Sequence, residues 1–174
     1  MAFVFKNLTT ETRELMQEEV HYDLERKCLY YSDRLSEHGK ELYAQFLLKS
    51  IETGNEEALA NSLVGCFNAC YQRRNPKGGY SLVKMPSNAA QMLAEGEYNR
   101  FYIRALCRIA LVNNKKLKIY RAKLSYNPRI ESEMKIGQFV DAKTLLDDLR
   151  NNIGFETVLK IPQPNSGLSV ELVD

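Results

Sequence analysis

Charge is laid out along these 174 residues in three blocks, and any fold the chain adopts must either neutralise the blocks against one another or leave them facing solvent. Between Glu57 and Glu131 there are thirteen Lys/Arg residues and only two acids, Glu95 and Glu97, a local charge of +11. Residues 1–57 carry −5 and residues 131–174 carry −4, so the whole-chain net charge of +2 hides the separation. Such a field draws a polyanion or an acidic protein surface to the middle of the chain. Alternatively it mates with acidic flanks, those of the same chain or of a neighbour, and acidic residues of the first predicted helix such as Glu14, Glu18 and Glu25 can face it.

The basic block has three components. Arg100, Arg104 and Arg108 recur at i, i+4, i+8, one row of a helix, with Phe101, Ala105 and Ile109 beside them and Tyr98 and Tyr102 interleaved. Guanidinium forks suit phosphate and carboxylate, and neighbouring rings can stack on bases or pack on a partner. The plain alternative is a solvated face whose stems cover apolar surface, with Glu97 paired to Arg100 or Arg104. Arg73-Arg74-Asn75-Pro76-Lys77-Gly78-Gly79 forms a second component, a basic breaker loop read as following a helix C-terminus, where cations also satisfy the helix dipole. Lys115, Lys116, Lys118, Arg121 and Lys123 complete it, with no acid among them.

Periodicity predicts an α+β fold dominated by helices, with N-terminal antiparallel helices and a small β-sheet. Met16, Val20, Leu24, Cys28, Tyr31 and Leu35 mark one face of a helix over 10–35, capped at Thr10. Leu42, Tyr43, Phe46, Leu47 and Ile51 mark a second over 38–53, ended by Gly54 in the left-handed conformation. Asn55 caps a third with a stripe from Leu59 to Cys70. Tyr80–Met85 alternates as a strand, a helix opens at Pro86-Ser87 and runs to about Val112 with a bend at Gly96, and Leu117–Lys123 alternates again. A short helix follows the Asp141 cap, and Leu168–Val173 reads as an edge strand. The length suits one domain spanning residues 1–174, helical over residues 1–75 and mixed α/β over residues 76–174.

Catalytic signatures are sparse. Glu133-Met134-Lys135 has the Glu-x-Lys spacing of metal-dependent nucleases, which need a second carboxylate, and the upstream acids within reach are Glu95 and Glu97 on a predicted helix. His21 and His38 lie on separate predicted helices, and no Cys/His spacing builds a zinc site. Cys28, Cys66, Cys70 and Cys107 are read as reduced thiols, three of them in apolar helix stripes. No cofactor is implied. The opening MAFVFKNLTTETRE lacks a signal-peptide core and no run approaches the roughly 20 apolar residues of a membrane span, so the expectation is a soluble protein made in a cytoplasm.

Tyr71–Tyr80, Glu97–Cys107, Tyr120-Arg121-Ala122-Lys123 and Pro164–Leu168 together make residues 65–170 resemble a family of small uncharacterised proteins encoded in tailed-phage and prophage genomes. The resemblance implies a setting, tailed phages and prophages, in which small non-enzymatic proteins are mostly virion parts or their assembly partners, and it assigns no activity to any residue. Taken with it, the leading expectation is a non-enzymatic structural or assembly protein, head-associated (minor capsid, decoration or head-tail connector type), homo-oligomeric or bound to other virion proteins. The rival is a nucleic-acid-binding protein using the basic segment 73–129, and a metal-dependent nuclease is third.

Overall fold

The computed structural model describes residues 2–174. Thr9, one residue before the expected cap, opens α1 (Thr10–Glu25) by accepting the Thr12 N–H at 3.2 Å. The helix stops ten residues short of the predicted end because Lys27 turns left-handed, with φ 55° and its N–H on the Leu24 carbonyl. The apolar residues beyond it, Leu29 and Leu35, reach the core from extended chain instead. Ser36 caps α2 (Glu37–Thr53) and Asn55 caps α3 (Glu56–Ser62), each accepting from the N–H three residues on. Gly54 does separate these helices, but with φ −126° rather than in the left-handed region. Its small size is what the join requires, since a Cβ there would meet Ala58 Cβ at 2.8 Å.

The third helix ends at Ser62, so the stripe expected to run to Cys70 breaks after Leu63. Phe67 instead bridges to Leu35, and Cys70–Arg74 is a strand, β1, pairing antiparallel with β2 (Tyr80–Lys84). The boundary drawn at residue 75 therefore falls inside a β-hairpin, and residues 1–75 are not purely helical. The hairpin turn closes with Gly78 N–H on the Asn75 carbonyl and Asn75 N–H on the Gly79 carbonyl, both glycines at positive φ.

α4 (Ala89–Asn113) runs uninterrupted through Gly96 and forms the axis of the molecule. From Glu97 to Cys107 every residue is buried, because α1 and α3, α6 (Ala142–Asn151) and the strands β3 (Lys116–Arg121) and β5 (Leu168–Val173) all pack against it. Between β3 and α6 lie a single turn, α5 (Ile130–Glu133), and the two-residue β4 (Phe139–Val140). The second sheet is antiparallel with order β4-β3-β5, so Leu168–Val173 is an edge strand as expected. Asn99 fastens it to the axis: its Nδ2 donates to the Leu168 carbonyl at 2.8 Å and its Oδ1 accepts from Ser169 Oγ at 2.7 Å. Among the described residues, six helices and two small antiparallel sheets make this a helix-dominated α+β fold. Among the described residues no helix is long and apolar enough to cross a membrane.

The segment that launches the hairpin is locked to α2 at one point. Ser36 donates to the Cys66 carbonyl from both its N–H (2.9 Å) and its Oγ (3.0 Å), and a Cβ on Gly39 would meet that same oxygen at 2.1 Å. Backbone on both sides leaves nothing flexible to give way. Gly39→Ala is expected to lower stability by about 1–3 kcal/mol, measured as a shift of the denaturant midpoint at constant slope.

Candidate interaction site

The arginine ladder is real as a row but it faces inward. Arg104, at the middle of α4, is 0% exposed. Its Nη1 and Nη2 donate to Asp23 Oδ2 and Oδ1 at 2.7 and 2.8 Å, and its Nε donates to Glu19 Oε2 at 2.8 Å. Glu19 and Asp23 stand one turn apart on α1, next to the apolar Met16 and Val20, so the carboxylates enter the core with the helix face that carries them. Arg150 of α6 also grips Glu19, with Nη2 on Oε1 at 2.5 Å and Nε on Oε2 at 3.1 Å, while its guanidinium lies 4.3 Å from the Tyr22 ring centroid. Arg108 completes the set, reaching Glu19 at 3.3 Å and the exposed Glu18 at 2.6 Å.

Three arginines on one carboxylate decide its protonation. Burial acts to raise the Glu19 pKa, but hydrogen bonding and charge from Arg150 and Arg104 outweigh it and hold the group below its ordinary value. Burial acts to lower the Arg104 pKa, and Asp23 and Glu19 overcome it and hold the guanidinium above its ordinary value. Arg100 is buried too, its Nη2 donating to the Asn152 carbonyl at 2.8 Å while Nη1 has no hydrogen bond among the described residues. Next to it the carboxyl of Glu97 is pushed up by burial, against the pull of Arg100. Arg100 and Arg104 therefore leave the surface expected to meet a polyanion or a partner, and Arg108 reaches it already paired.

The rest of the basic block divides in the same way. Lys115 pairs with Asp174 at 3.2 Å, Arg121 with Glu133 and the Ser166 carbonyl, and Lys123 with Glu95. Lys116 and Lys118 on β3 have no ion-pair partner among the described residues, nor do Arg73, Arg74 and Lys77. Those last three sit on the β1–β2 hairpin rather than at a helix C-terminus, so no helix dipole is there to account for them.

The Glu133-Met134-Lys135 reading is not assembled. Glu133 sits on the α5 turn and is engaged by Arg121, Lys135 donates to the Leu159 carbonyl, and Glu95 is engaged by Lys123. Among the described residues no three His, Cys, Asp or Glu side chains converge as a metal ion would require. All four cysteines are free thiols, with Cys66 and Cys107 buried, Cys28 partly so, and Cys70 exposed on the hairpin rather than in a helix stripe. Burial pushes the Cys107 thiol far up, which leaves it unreactive.

The hairpin presents one fully exposed face. Cross-strand register places Cys70 beside Lys84, Gln72 beside Leu82 and Arg74 beside Tyr80 on one face, all exposed, Tyr80 to 68% and Leu82 to 73%. The other face carries Tyr71 and Val83, half-buried, with the Arg34 guanidinium 4.2 Å from the Tyr71 ring centroid, and the exposed Arg73 opposite Ser81. Both strands are edges of their two-stranded sheet. No family model, curated protein or solved structure matches this chain.

The buried cluster and the hairpin should respond oppositely to loss of charge. Arg104→Met leaves Asp23 buried without its guanidinium partner and Glu19 short of one of its three, and is expected to cost about 3–5 kcal/mol, whereas Arg73→Gln with Arg74→Gln should change stability by less than about 0.5 kcal/mol; urea unfolding compares them. The depressed Glu19 pKa contributes stability that is present above its ordinary value of 4.5 and is lost as pH falls through the folded value. The melting temperature should fall as pH is lowered below about 4.5, and Glu19→Gln should remove part of that slope while lowering stability at neutral pH.

Proposed function

We propose that this chain is a non-enzymatic structural or assembly protein that works by packing against other protein through its β1–β2 hairpin. The observation that carries the reading is that hairpin, whose outward face is exposed and whose two strands pair with no third strand among the described residues. A two-stranded hairpin is only marginally stable by itself in water, so one carrying exposed Tyr80 and Leu82 gains stability when a partner covers it. Further exposed apolar side chains, Tyr126, Ile130, Met134 and Phe139, lie on and around the α5 turn and the β4 edge and suit a second contact surface. The resemblance of residues 65–170 to the phage family supplies the setting, a head-associated component of a tailed-phage particle made in the bacterial cytoplasm. With most of the arginine ladder turned inward, the rival reading, nucleic-acid binding, rests on the cationic ribbon of Arg73, Arg74, Lys77 and Lys84, since the major groove of duplex DNA admits a two-stranded ribbon.

Tyr80→Ser with Leu82→Ser alters only exposed side chains and should leave the fold within about 0.5 kcal/mol of wild type. In a gradient-fractionated phage lysate the wild-type protein is expected with the particles and the double variant in the soluble fraction. A wild-type protein absent from particles would overturn the reading, and tight binding to naked duplex DNA at physiological salt would favour the rival.

A further inference from the structure

Resting on the assembly reading, we infer that the partner of the hairpin is a second copy of this chain, docked through the exposed face of its α1. Glu11, Glu14, Glu18, His21 and Glu25 fall at i, i+3, i+7, i+10 and i+14, and all five are exposed, so they form one row along the helix face opposite Met16, Glu19 and Val20. Of these, Glu18 is held by Arg108, while Glu11, Glu14 and Glu25 have no ion-pair partner among the described residues. The row ends at Arg26 and Lys27, which confine its acidic stretch to α1 itself. On the hairpin, Arg73, Arg74, Lys77 and Lys84 likewise have no ion-pair partner among the described residues, and no acid occurs between Glu57 and Glu95 to neutralise them locally. Two surfaces of opposite sign are thus left unsatisfied within one chain.

Their dimensions match. The acidic row spans about 21 Å at the rise of an α-helix, and each five-residue strand of the ribbon about 17 Å before its turn. The outward face of the ribbon offers Tyr80 and Leu82 as apolar contacts between Arg74 and Lys84, with Lys77 at the turn and Arg73 on the opposite face, and Leu15 and Tyr22, half-buried beside the acidic row, offer matching apolar surface. A polyanion is a poorer fit, because it would meet four cations on the ribbon and then the acidic row elsewhere on the same molecule, in a chain of net charge +2. Hairpin and helix are different surfaces, so the contact is heterologous: each copy gives its ribbon to one neighbour and its α1 to another. Such contacts close into a ring or continue as a filament.

Charge reversal in two halves tests the pairing. Arg74→Glu with Lys84→Glu makes the outward face of the ribbon acidic, and Glu11→Lys with Glu14→Lys makes the helix row basic; all four positions are exposed and outside the ion pairs of the described residues, and thermal melts check that both variants fold. Sedimentation velocity on the full chain should show wild-type self-association that weakens at least about tenfold between low and high salt. Each variant alone should associate at least about tenfold more weakly than wild type, since like charges then face each other. An equimolar mixture of the two variants should regain the association, because each ribbon again meets a row of opposite sign. The neutral pair Arg74→Gln with Lys84→Gln should fall between wild type and the reversal. Variants that associate as wild type does would overturn this contact and leave assembly to another surface. A wild-type protein that enters particles but stays monomeric when pure would overturn the second copy as occupant while sparing the assembly reading. Binding of wild type to a duplex DNA probe that is lost in the ribbon variant, with no self-association, would overturn it in favour of nucleic acid.

Discussion

One buried guanidinium ties three helices of the fold together. Arg104 sits in the middle of α4 and its carboxylate partners come from α1, one of which, Glu19, is gripped in turn by Arg150 of α6. An unpaired charge in this position would be untenable, because desolvation of an ion costs several kcal/mol that only close, hydrogen-bonded counter-charges offset. The helices are therefore tied in register by electrostatics as well as by the apolar contacts of Met16, Val20, Leu106 and Leu149 around them. Breaking one partner of such a cluster is costly because it leaves the others buried and uncompensated, so α1, α4 and α6 are held to the arrangement in which all of them are paired.

The internal pairing also determines what the surface can offer. The central block of +11 is drawn down by α1, by Glu95 and Glu133, and by Asp174, so the cationic surface that remains lies on the hairpin, on Lys116 and Lys118 and at Arg129. On α1 the same helix divides its acids by face: Glu19 and Asp23 turn inward to the arginines, and Glu11, Glu14 and Glu25 stay in water. What reads in the sequence as one long field becomes a neutral core with two separate patches of opposite sign. Specificity between copies then comes from where those patches sit on the fold.

The helical frame was legible because its apolar positions repeat strictly and its caps are short polar side chains: α2, α3 and α6 begin at Ser36, Asn55 and Asp141, the last two as read directly. Two boundaries misled. Cys28, Tyr31 and Leu35 keep helical spacing beyond Glu25, yet apolar residues in extended chain that returns to the core can produce the same spacing by chance, and the left-handed Lys27 carries no sequence mark. Cys66, Phe67 and Cys70 continued the stripe of α3, whereas Gly65 and the bridge of Phe67 to Leu35 end it. The hairpin was half visible, as the breaker run and the strand after it, but its first strand was hidden inside that false helix. For the candidate site, the basic residues were identified and their orientation was not. Spacing at i, i+4, i+8 places Arg100, Arg104 and Arg108 in a row and says nothing about which side the row faces. The missing signal was on another helix: Glu19 and Asp23, one turn apart and next to apolar Met16 and Val20, are carboxylates on a face bound for the core, and a cation must accompany them. Arg150, on an amphipathic helix far along the chain, had no local mark at all.

The division of charge between core and surface requires Arg104 to be sealed in its pairs while the hairpin arginines are free, and side-chain hydrogen exchange measures that directly. Arginine Nε–H exchange with water, followed residue by residue by NMR at neutral pH, should show Arg104 protected by at least about a hundredfold over Arg73 and Arg74, because its exchange requires the α1–α4 contact to open. If Arg104 exchanges as fast as the hairpin arginines, the buried cluster does not exist in solution, and the division into a neutralised core and a cationic ribbon fails with it.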